Sequence, residues 1–129
     1  MAQSTPDTVV YVSNAASKEI YALAMNRETG ELSVLDKVSV PGTDKPSPAS
    51  MPMAVTPDHR FLYAALRSDN FPASSFAIDR ASGRLTHIAT TPLQDSMAYI
   101  VTDRTGRNRT VSWSTQPTNI ATRPALAPT

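Results

Sequence analysis

The sequence predicts an all-β protein, and three observations carry this prediction. Short segments rich in Val, Ile, Thr, Tyr and Phe alternate with segments rich in Gly, Pro, Asn, Asp and Ser, a pattern typical of strands joined by turns. The turn segments recur in the same order along the chain. No segment has a convincing helical period, because the apolar residues of 20–28 alternate between two turn signals as in a strand.

Three strands are expected before a long loop and four after it. The loop is the segment 41–52, which is rich in Pro, Ser and Gly. Gly30 ends the turn after the second strand and is free to take a positive φ. Pro57 and Asp58 lie in the turn between the fourth and fifth strands. The expected strands are 8–13, 18–25, 31–40, 53–55, 61–66, 74–78 and 84–90.

An internal repeat underlies this order of strands. Thr-Pro-Asp at 5–7 recurs at 56–58, and the Tyr of the following strand recurs 52 positions later, at Tyr63 for Tyr11. The turn 26–32 recurs as 79–85 at a spacing of 53. A third copy begins at 100–107 with a spacing of about 46 from the second.

A repeat of this length, with about four short strands in each copy, is the signature of β-propeller blades. One four-stranded sheet cannot bury both of its faces, so neighbouring sheets must cover them. The alternative is a single antiparallel sandwich whose hairpins resemble each other by chance, but two turn motifs matched in the same order favour the propeller. We expect two four-stranded antiparallel blades, at about 8–50 and 53–97, and the start of a third at 98–107.

The last 22 residues do not fit the repeat. After Arg107 the pattern requires an apolar strand like 61–66, but 108–129 is dominated by Thr, Pro, Ala and Ser, and all 11 carboxylates lie at or before Asp103. Such a segment buries too little apolar area to offset its ordering entropy, so we expect a disordered tail. Because the change falls inside a repeat unit, we favour a shifted reading frame over a genuine disordered tail. The nucleotide sequence tests this hypothesis.

The composition excludes several classes of protein. Lys and Arg number 12 and Asp and Glu number 11, so the chain has no excess of positive charge of the kind that binds nucleic acid or an anionic membrane. There are no cysteines, so disulfides and thiol chemistry are excluded. We find no signal peptide and no apolar run that would span a bilayer, and we expect a cytoplasmic protein. Secretion by a leader outside this sequence is the alternative.

Several segments together resemble one family. The turn pattern Asp/Asn-x-x-x-Gly-x-Leu at 26–32 and 79–85 is the most distinctive of them. The others are 10–14, 20–23, 52–64 and 102–107. On these residues the chain resembles the seven-bladed lactonase family of β-propellers, which includes 6-phosphogluconolactonase and the propeller-type carboxy-muconate lactonising enzymes. The resemblance covers 8–107, so 1–107 is interpreted as the N-terminal part of an incomplete seven-bladed ring.

The resemblance implies hydrolysis of a sugar lactone, here 6-phospho-D-glucono-1,5-lactone to 6-phosphogluconate in carbohydrate metabolism, without a cofactor. In the family the suspected His, Arg and Glu groups around the central channel come from later blades. No catalytic residue of this chain is therefore named, and we expect the fragment to be inactive. The alternatives are a non-catalytic propeller that serves as an interaction module, or a frameshifted fragment with no function.

Arg67 is the polar side chain selected as a substrate-binding candidate, because it directly follows the strand 61–66 and its planar fork suits a phosphate. A solvated or structural role is the alternative. His59 is expected in an exposed turn and His87 on the surface of an outer strand, and two isolated histidines give no metal site. Asp58 and Asp103 recur at one blade position, which favours a turn-capping role. Uncovered sheet faces also predict self-association of the fragment.

Overall fold

The computed structural model describes residues 8–46, 48–95 and 99–104, together with the backbone of 109–112 and 120–122. These residues form ten β-strands and no helix, which confirms the all-β prediction; accordingly, none of them forms a helix that could cross a membrane. The strands are β1 (Thr8–Asn14), β2 (Glu19–Met25), β3 (Leu32–Ser39), β4 (Met53–Val55), β5 (Phe61–Ala65), β6 (Pro72–Ile78), β7 (Leu85–Pro92), β8 (Tyr99–Thr102), β9 (Arg109–Ser112) and β10 (Ile120–Thr122).

The strands form three antiparallel sheets in which each strand pairs with the next along the chain. We call β1–β3 the first sheet, β4–β7 the second sheet and β8–β10 the third sheet. The first sheet has three strands where four were expected, because the described residues contain no counterpart of β4 in that sheet. The first copy of the repeated Thr-Pro-Asp motif, at 5–7, lies outside the described residues.

The repeat extends to irregularities of the strands. The pairing of β2 with β3 shifts register between Ala22 and Leu23, and that of β6 with β7 shifts between Ser75 and Phe76. The two bulges lie 53 positions apart, the spacing of the repeated turns. A bulge bends a strand and increases its twist, so both sheets are bent at equivalent positions.

The turns 26–31 and 79–84 are also built alike. The Asn26 side-chain oxygen accepts hydrogen bonds from the N–H groups of Glu28 and Thr29, at 2.9 and 3.2 Å. In the second sheet, Asp79 accepts in the same way from the N–H groups two and three residues further on, at 2.9 and 3.3 Å. Gly30 and Gly83 end these turns with φ of 76° and 81°, values that favour glycine.

The first and second sheets pack face to face over an apolar core. We call the face of each sheet that is turned toward the next sheet in the chain its forward face, and the opposite one its rear face. Directly paired residues point to the same side of a sheet, so the strand register assigns each residue to one of these faces. Tyr11, Ile20 and Val38 lie on the forward face of the first sheet. They pack against the rear face of the second sheet, whose fully buried side chains include Leu62 and Phe76.

The second and third sheets pack in the same way. The forward face of the second sheet contributes Tyr63, Ala65 and Ala73, and β8 contributes Ile100 from the rear face of the third sheet. The Thr102 hydroxyl also donates a hydrogen bond of 3.1 Å to the carbonyl of Val55, between the two inner strands. Three successive sheets therefore use one mode of packing, forward face on rear face.

Two of the observed strands lie in the segment that was expected to be a disordered tail. β9 pairs with β8 and β10 pairs with β9, so this segment supplies two strands of the third sheet. Backbone pairing needs no apolar side chains, which is why the polar composition of 109–112 did not indicate a strand. The domain boundary at residue 107 and the shifted reading frame stay predictions, and the rest of 108–129 lies outside the described residues.

The turn at Gly83 sits directly against the first sheet. A Cβ placed on Gly83 would lie 2.6 Å from Val9 Cγ2, well inside van der Waals contact, whereas a Cβ on Gly30 would meet none of the described residues within 4 Å. The Tyr11 hydroxyl donates a 2.6 Å hydrogen bond to the carbonyl of Gly83, and burial raises the pKa of this phenol. The repeated turn thus also joins one sheet to the next.

We expect Gly83→Ala to destabilise the protein more than Gly30→Ala. Both substitutions place a Cβ in the left-handed region, at a cost of about 1–2 kcal/mol. Only at position 83 does the new methyl also collide with Val9, and such overpacking adds about 1–3 kcal/mol. Urea denaturation of the two variants measures the difference. Adding Val9→Ala should recover part of the loss at position 83, and equal losses in the two single variants would contradict the tight contact.

Candidate functional site

Three connections meet at one end of the strands, which we call the upper rim: 15–18 between β1 and β2, 40–52 between β3 and β4, and 66–71 between β5 and β6. Lys18 binds the first to the second, because its ammonium group donates to the carbonyls of Thr43 and Lys45 at 3.2 and 3.1 Å. The opposite end carries the turns 26–31, 56–60 and 79–84, and we call it the lower rim.

The second and third of these connections are also linked to each other. The hydroxyls of Thr43 and Ser68 share a 3.2 Å hydrogen bond. Lys45 and Asp69 form an ion pair of 3.7 Å that is largely exposed and therefore contributes little to stability. Since the contacts to Thr43 and Lys45 come from both sheets, the long loop is held across the boundary between the sheets.

A cleft of about 620 Å³ opens between these two connections. The residues that line it include one lysine, two aspartates, two prolines and one asparagine. Two consecutive residues next to it, Asn70 and Phe71, have positive φ values of 64° and 46°. Phe rarely adopts this conformation, so this turn is a strained part of the upper rim. The cleft is lined by Pro41, Gly42, Thr43, Asp44, Lys45, Pro46, Asp69 and Asn70.

Arg67, the predicted substrate-binding residue, lies on the upper rim at the end of β5. Its N–H donates to the carbonyl of Ser50 at 3.0 Å, and its carbonyl accepts from the N–H of Ala49 at 3.2 Å. These bonds continue the pairing of β4 with β5 beyond both strands and fix the backbone from which the half-buried Arg67 side chain starts. Arg67 is not one of the residues that line the cleft, and its role in binding stays a prediction.

Ser50 is a residue of this region that sequence analysis did not select. Its hydroxyl oxygen is shielded from solvent and, within the residues that the structure describes, is the buried side-chain polar atom without a hydrogen-bond partner. A buried hydroxyl without a partner costs free energy, so such atoms need an explanation. No sequence signal identified it, because a serine in a Pro- and Ser-rich loop is typical of any loop.

The two histidines lie outside the connections of the upper rim. His59 is exposed on the lower rim with φ of 59°, at the opposite end of β5. His87 is exposed on β7, where its Nε2 lies 2.7 Å from the hydroxyl of Thr90 and its ring meets Phe76 edge to face. In the described part of the chain, no three His, Asp or Glu side chains come together as a metal site.

The carboxylates of the lower rim hold turns together. Asp58 accepts a 2.6 Å hydrogen bond from the hydroxyl of Thr56 and a 3.1 Å bond from the N–H of Arg60, and these bonds lower its pKa. This is the capping role predicted for Asp58. Asp79 has a lowered pKa because the N–H groups of Ala81 and Ser82 donate to it. Neither carboxylate is poised to take up a proton near neutral pH.

Comparison with known families gives a match over most of the chain. The model of a family described as "Lactonase, 7-bladed beta-propeller" matches residues 7–112. The 6-phosphogluconolactonase of Erwinia tasmaniensis is 39% identical over 99 residues, which are 77% of this chain and 27% of the relative. That of Enterobacter sp. (strain 638) is 38% identical over 98 residues, with 76% and 27% covered. The chain therefore spans about a quarter of the length of these curated relatives.

Solved structures show the same fold at lower identity. A protein from Lactobacillus plantarum superposes with a TM-score of 0.71 at 20% identity, over 88% of this chain and 33% of that structure. The periplasmic gluconolactonase of Pseudomonas aeruginosa superposes with a TM-score of 0.66 at 20% identity, over 78% and 28%. These likenesses establish the fold, so the prediction of an incomplete β-propeller is confirmed.

We expect Asp79→Asn to flatten the acid dependence of stability. The folded state lowers the pKa of Asp79. Its contribution is therefore fully present above the pKa of the unfolded chain and is lost as the pH falls through the lower pKa of the folded state, on the acid side of about pH 5. An Asn keeps the acceptor oxygen, as Asn26 does in the equivalent turn. Urea unfolding at several pH values measures the slope, and an unchanged slope would contradict this role.

Proposed function

Because the chain belongs to the seven-bladed lactonase β-propeller family, we propose that it forms part of the ring of a 6-phosphogluconolactonase. Such an enzyme hydrolyses 6-phospho-D-glucono-1,5-lactone to 6-phosphogluconate. The observation that supports this proposal is 39% identity to the Erwinia tasmaniensis enzyme across three quarters of the chain. The family match over residues 7–112, a range that includes the repeated turns 26–32 and 79–85, agrees with it.

The reaction sets out which groups a complete site must contain. A water oxygen adds to the C1 carbonyl, the bond between C1 and the ring oxygen breaks, and the ring oxygen leaves as a hydroxyl. A base or a positioned water must accept a proton in the first step, and donors must stabilise the oxyanion. The 6-phosphate needs cationic or N–H donors, and an Arg guanidinium can offer it two parallel bonds.

Arg67 is our proposed substrate-binding residue in this scheme. It stands on the upper rim beside the half-buried Ser50, and its backbone is fixed by two hydrogen bonds to the preceding loop. A fixed backbone lowers the conformational cost of holding a guanidinium toward a phosphate.

We assign no catalytic base to this chain. His59 lies on the lower rim, at the opposite end of β5 from Arg67, and His87 lies on β7, so neither belongs to the upper-rim connections that carry Arg67. We therefore propose that the catalytic groups come from other blades of a complete ring. We also propose a cytoplasmic location, since a phosphorylated lactone crosses the hydrocarbon of a membrane poorly.

The 129-residue chain on its own is expected to hydrolyse 6-phosphogluconolactone no faster than buffer does. The physical reason is that an arginine on one rim binds a phosphate without supplying a base or an oxyanion site. Purified chain is assayed by following the lactone directly, with the complete Erwinia tasmaniensis enzyme as the positive control. Saturable hydrolysis by the chain alone would show that the catalytic groups are within these residues.

Arg67 is tested in a chimera in which this chain's 99 matched residues replace their counterparts in the Erwinia tasmaniensis enzyme. Loss of hydrogen bonds to a charged group costs about 1.5–3 kcal/mol, so Arg67→Ala should raise KM for the lactone by about 10- to 150-fold. Arg67→Lys should recover only part of this, because it offers no planar fork. Arg80→Ala, an exposed arginine on the lower rim, is the matched control. Equal effects at positions 67 and 80 would refute the assignment.

A further inference from the structure

Three side chains of the second sheet, none of which lines the upper-rim cleft, are joined by short hydrogen bonds. The hydroxyl oxygens of Ser74 and Thr90 lie 2.7 Å apart, and the same Thr90 oxygen lies 2.7 Å from Nε2 of His87. Ser74 is fully buried, Thr90 is half-buried and His87 is exposed. The three polar groups therefore run from the interior of the protein to its surface, with the Thr90 hydroxyl between a buried hydroxyl and an exposed imidazole.

The β-bulge of the second sheet brings His87 and Thr90 together. Residues three apart on a regular strand point to opposite faces of the sheet. Here Thr90 pairs with Ser74. His87 pairs with Phe76, two residues further along β6, so the bulge gives both side chains of β7 the same face. The rings of His87 and Phe76 meet edge to face with their centroids 5.5 Å apart, and this contact orients the imidazole.

The Thr90 side chain is held in place by its methyl group. A Cβ placed on Gly42 would lie 3.2 Å from Thr90 Cγ2, so the connection 40–52 passes directly over this methyl. Because threonine has few χ1 rotamers, a methyl group held beneath Gly42 also fixes the direction of the hydroxyl on the same carbon. The hydroxyl therefore points to its two partners before any ligand arrives, as preorganised chemistry requires.

The repeat shows that packing of a sheet does not require this arrangement. The counterparts of Ser74, His87 and Thr90, 53 positions earlier, are Tyr21, Val34 and Lys37. There the Lys37 ammonium lies 5.3 Å from the centroid of the Tyr21 ring. The same pair of strands is thus built in the first sheet with neither a hydroxyl–imidazole pair nor a buried serine. In the second sheet, His87 stays exposed although the first sheet packs on this face, so a small molecule can reach it.

We propose that Thr90 is a nucleophile with His87 as its general base, and that activated carboxylic esters acylate it. A hydroxyl within hydrogen-bond reach of a base is the arrangement that activates such a nucleophile. The Thr90 oxygen bonds to the ester carbonyl carbon while its proton passes to Nε2 of His87. The bond from that carbon to the leaving oxygen then breaks, and the leaving oxygen takes the proton. The Ser74 hydroxyl donates to the Thr90 oxygen and stabilises the charge that develops on it.

The proposed reaction modifies each chain once and does not turn over. The inference is therefore independent of the proposed function and of the expected lack of lactone hydrolysis.

The test treats the purified chain with 4-nitrophenyl acetate and locates the acetyl groups by peptide mass spectrometry over time. Thr90 should carry an acetyl group that neutral hydroxylamine removes, because hydroxylamine cleaves esters and leaves the amides formed at lysines. His87→Gln should slow acetylation of Thr90 about 100-fold, since a general base contributes at least this much. Ser74→Ala should slow it about tenfold, the effect of one hydrogen bond. Thr86→Val, at an exposed threonine of the same strand, is the matched control and should leave the rate unchanged.

Circular dichroism checks that each variant keeps its β-structure. Because Ser74 is buried, the decisive variant is His87→Gln, which changes an exposed side chain. If the 129-residue chain does not fold on its own, the same substitutions are made in the chimera that tests Arg67, where peptide mass spectrometry still reads position 90 separately. Two results would each overturn the proposal: acetyl groups confined to amines, or equal rates of Thr90 acetylation in the folded parent and the folded His87→Gln variant.

Discussion

Packing of the forward face of one sheet on the rear face of the next is the interaction on which the rest of this structure depends. β5 shows it most directly, because Leu62 is buried against the first sheet and Tyr63 is buried against the third sheet. A strand buried on both faces has no need for polar residues, and Phe61 to Leu66 is accordingly an unbroken apolar run. Burial of a large apolar side chain such as Leu62 or Phe76 contributes about 1.5–3 kcal/mol, so each neighbouring sheet adds to the stability of the second sheet.

The lower rim turns serve this packing as well as reversing the chain. Gly83 is the clearest case, since its positive φ completes the turn, its missing Cβ makes room for Val9 and its carbonyl accepts the Tyr11 hydroxyl. A side chain at this position would therefore disturb both the turn and the packing. The equivalent Gly30 has a similar φ, but among the described residues none would contact a Cβ placed there, so the structure explains this glycine by the turn alone.

Local sequence patterns were sufficient to predict most of the strands, and the internal repeat was sufficient to predict the fold. The observed β1–β7 agree with the expected strands to within two residues at each end, because β-branched runs between Gly and Asn or Asp turns leave few alternatives. The strands β9 and β10 were missed because Arg109–Ser112 is mostly polar and Ile120–Thr122 is too short to show an alternating pattern. The site was predicted less well. Arg67 was placed correctly at the end of a strand, but the cleft depends on Lys18 and Ser68 contacts to Thr43, which join residues 25 positions apart.

The two rims differ in a way that bears on where a ligand binds. On the lower rim the repeat is kept: the turns 26–31 and 79–84 share length, capping pattern and a glycine. On the upper rim it is lost, because the connection 40–52 is about twice as long as the one that follows β7. A turn that packs against the neighbouring sheet must keep its length and its glycine in every copy of the repeat. A connection that does not take part in this packing can differ in length and in side chains from one copy to the next. Arg67 and Ser50 stand among these divergent connections, and the histidines do not. The upper rim is therefore the surface on which this part of a ring differs most from its own repeat, and this difference supports the proposal that a ligand binds there.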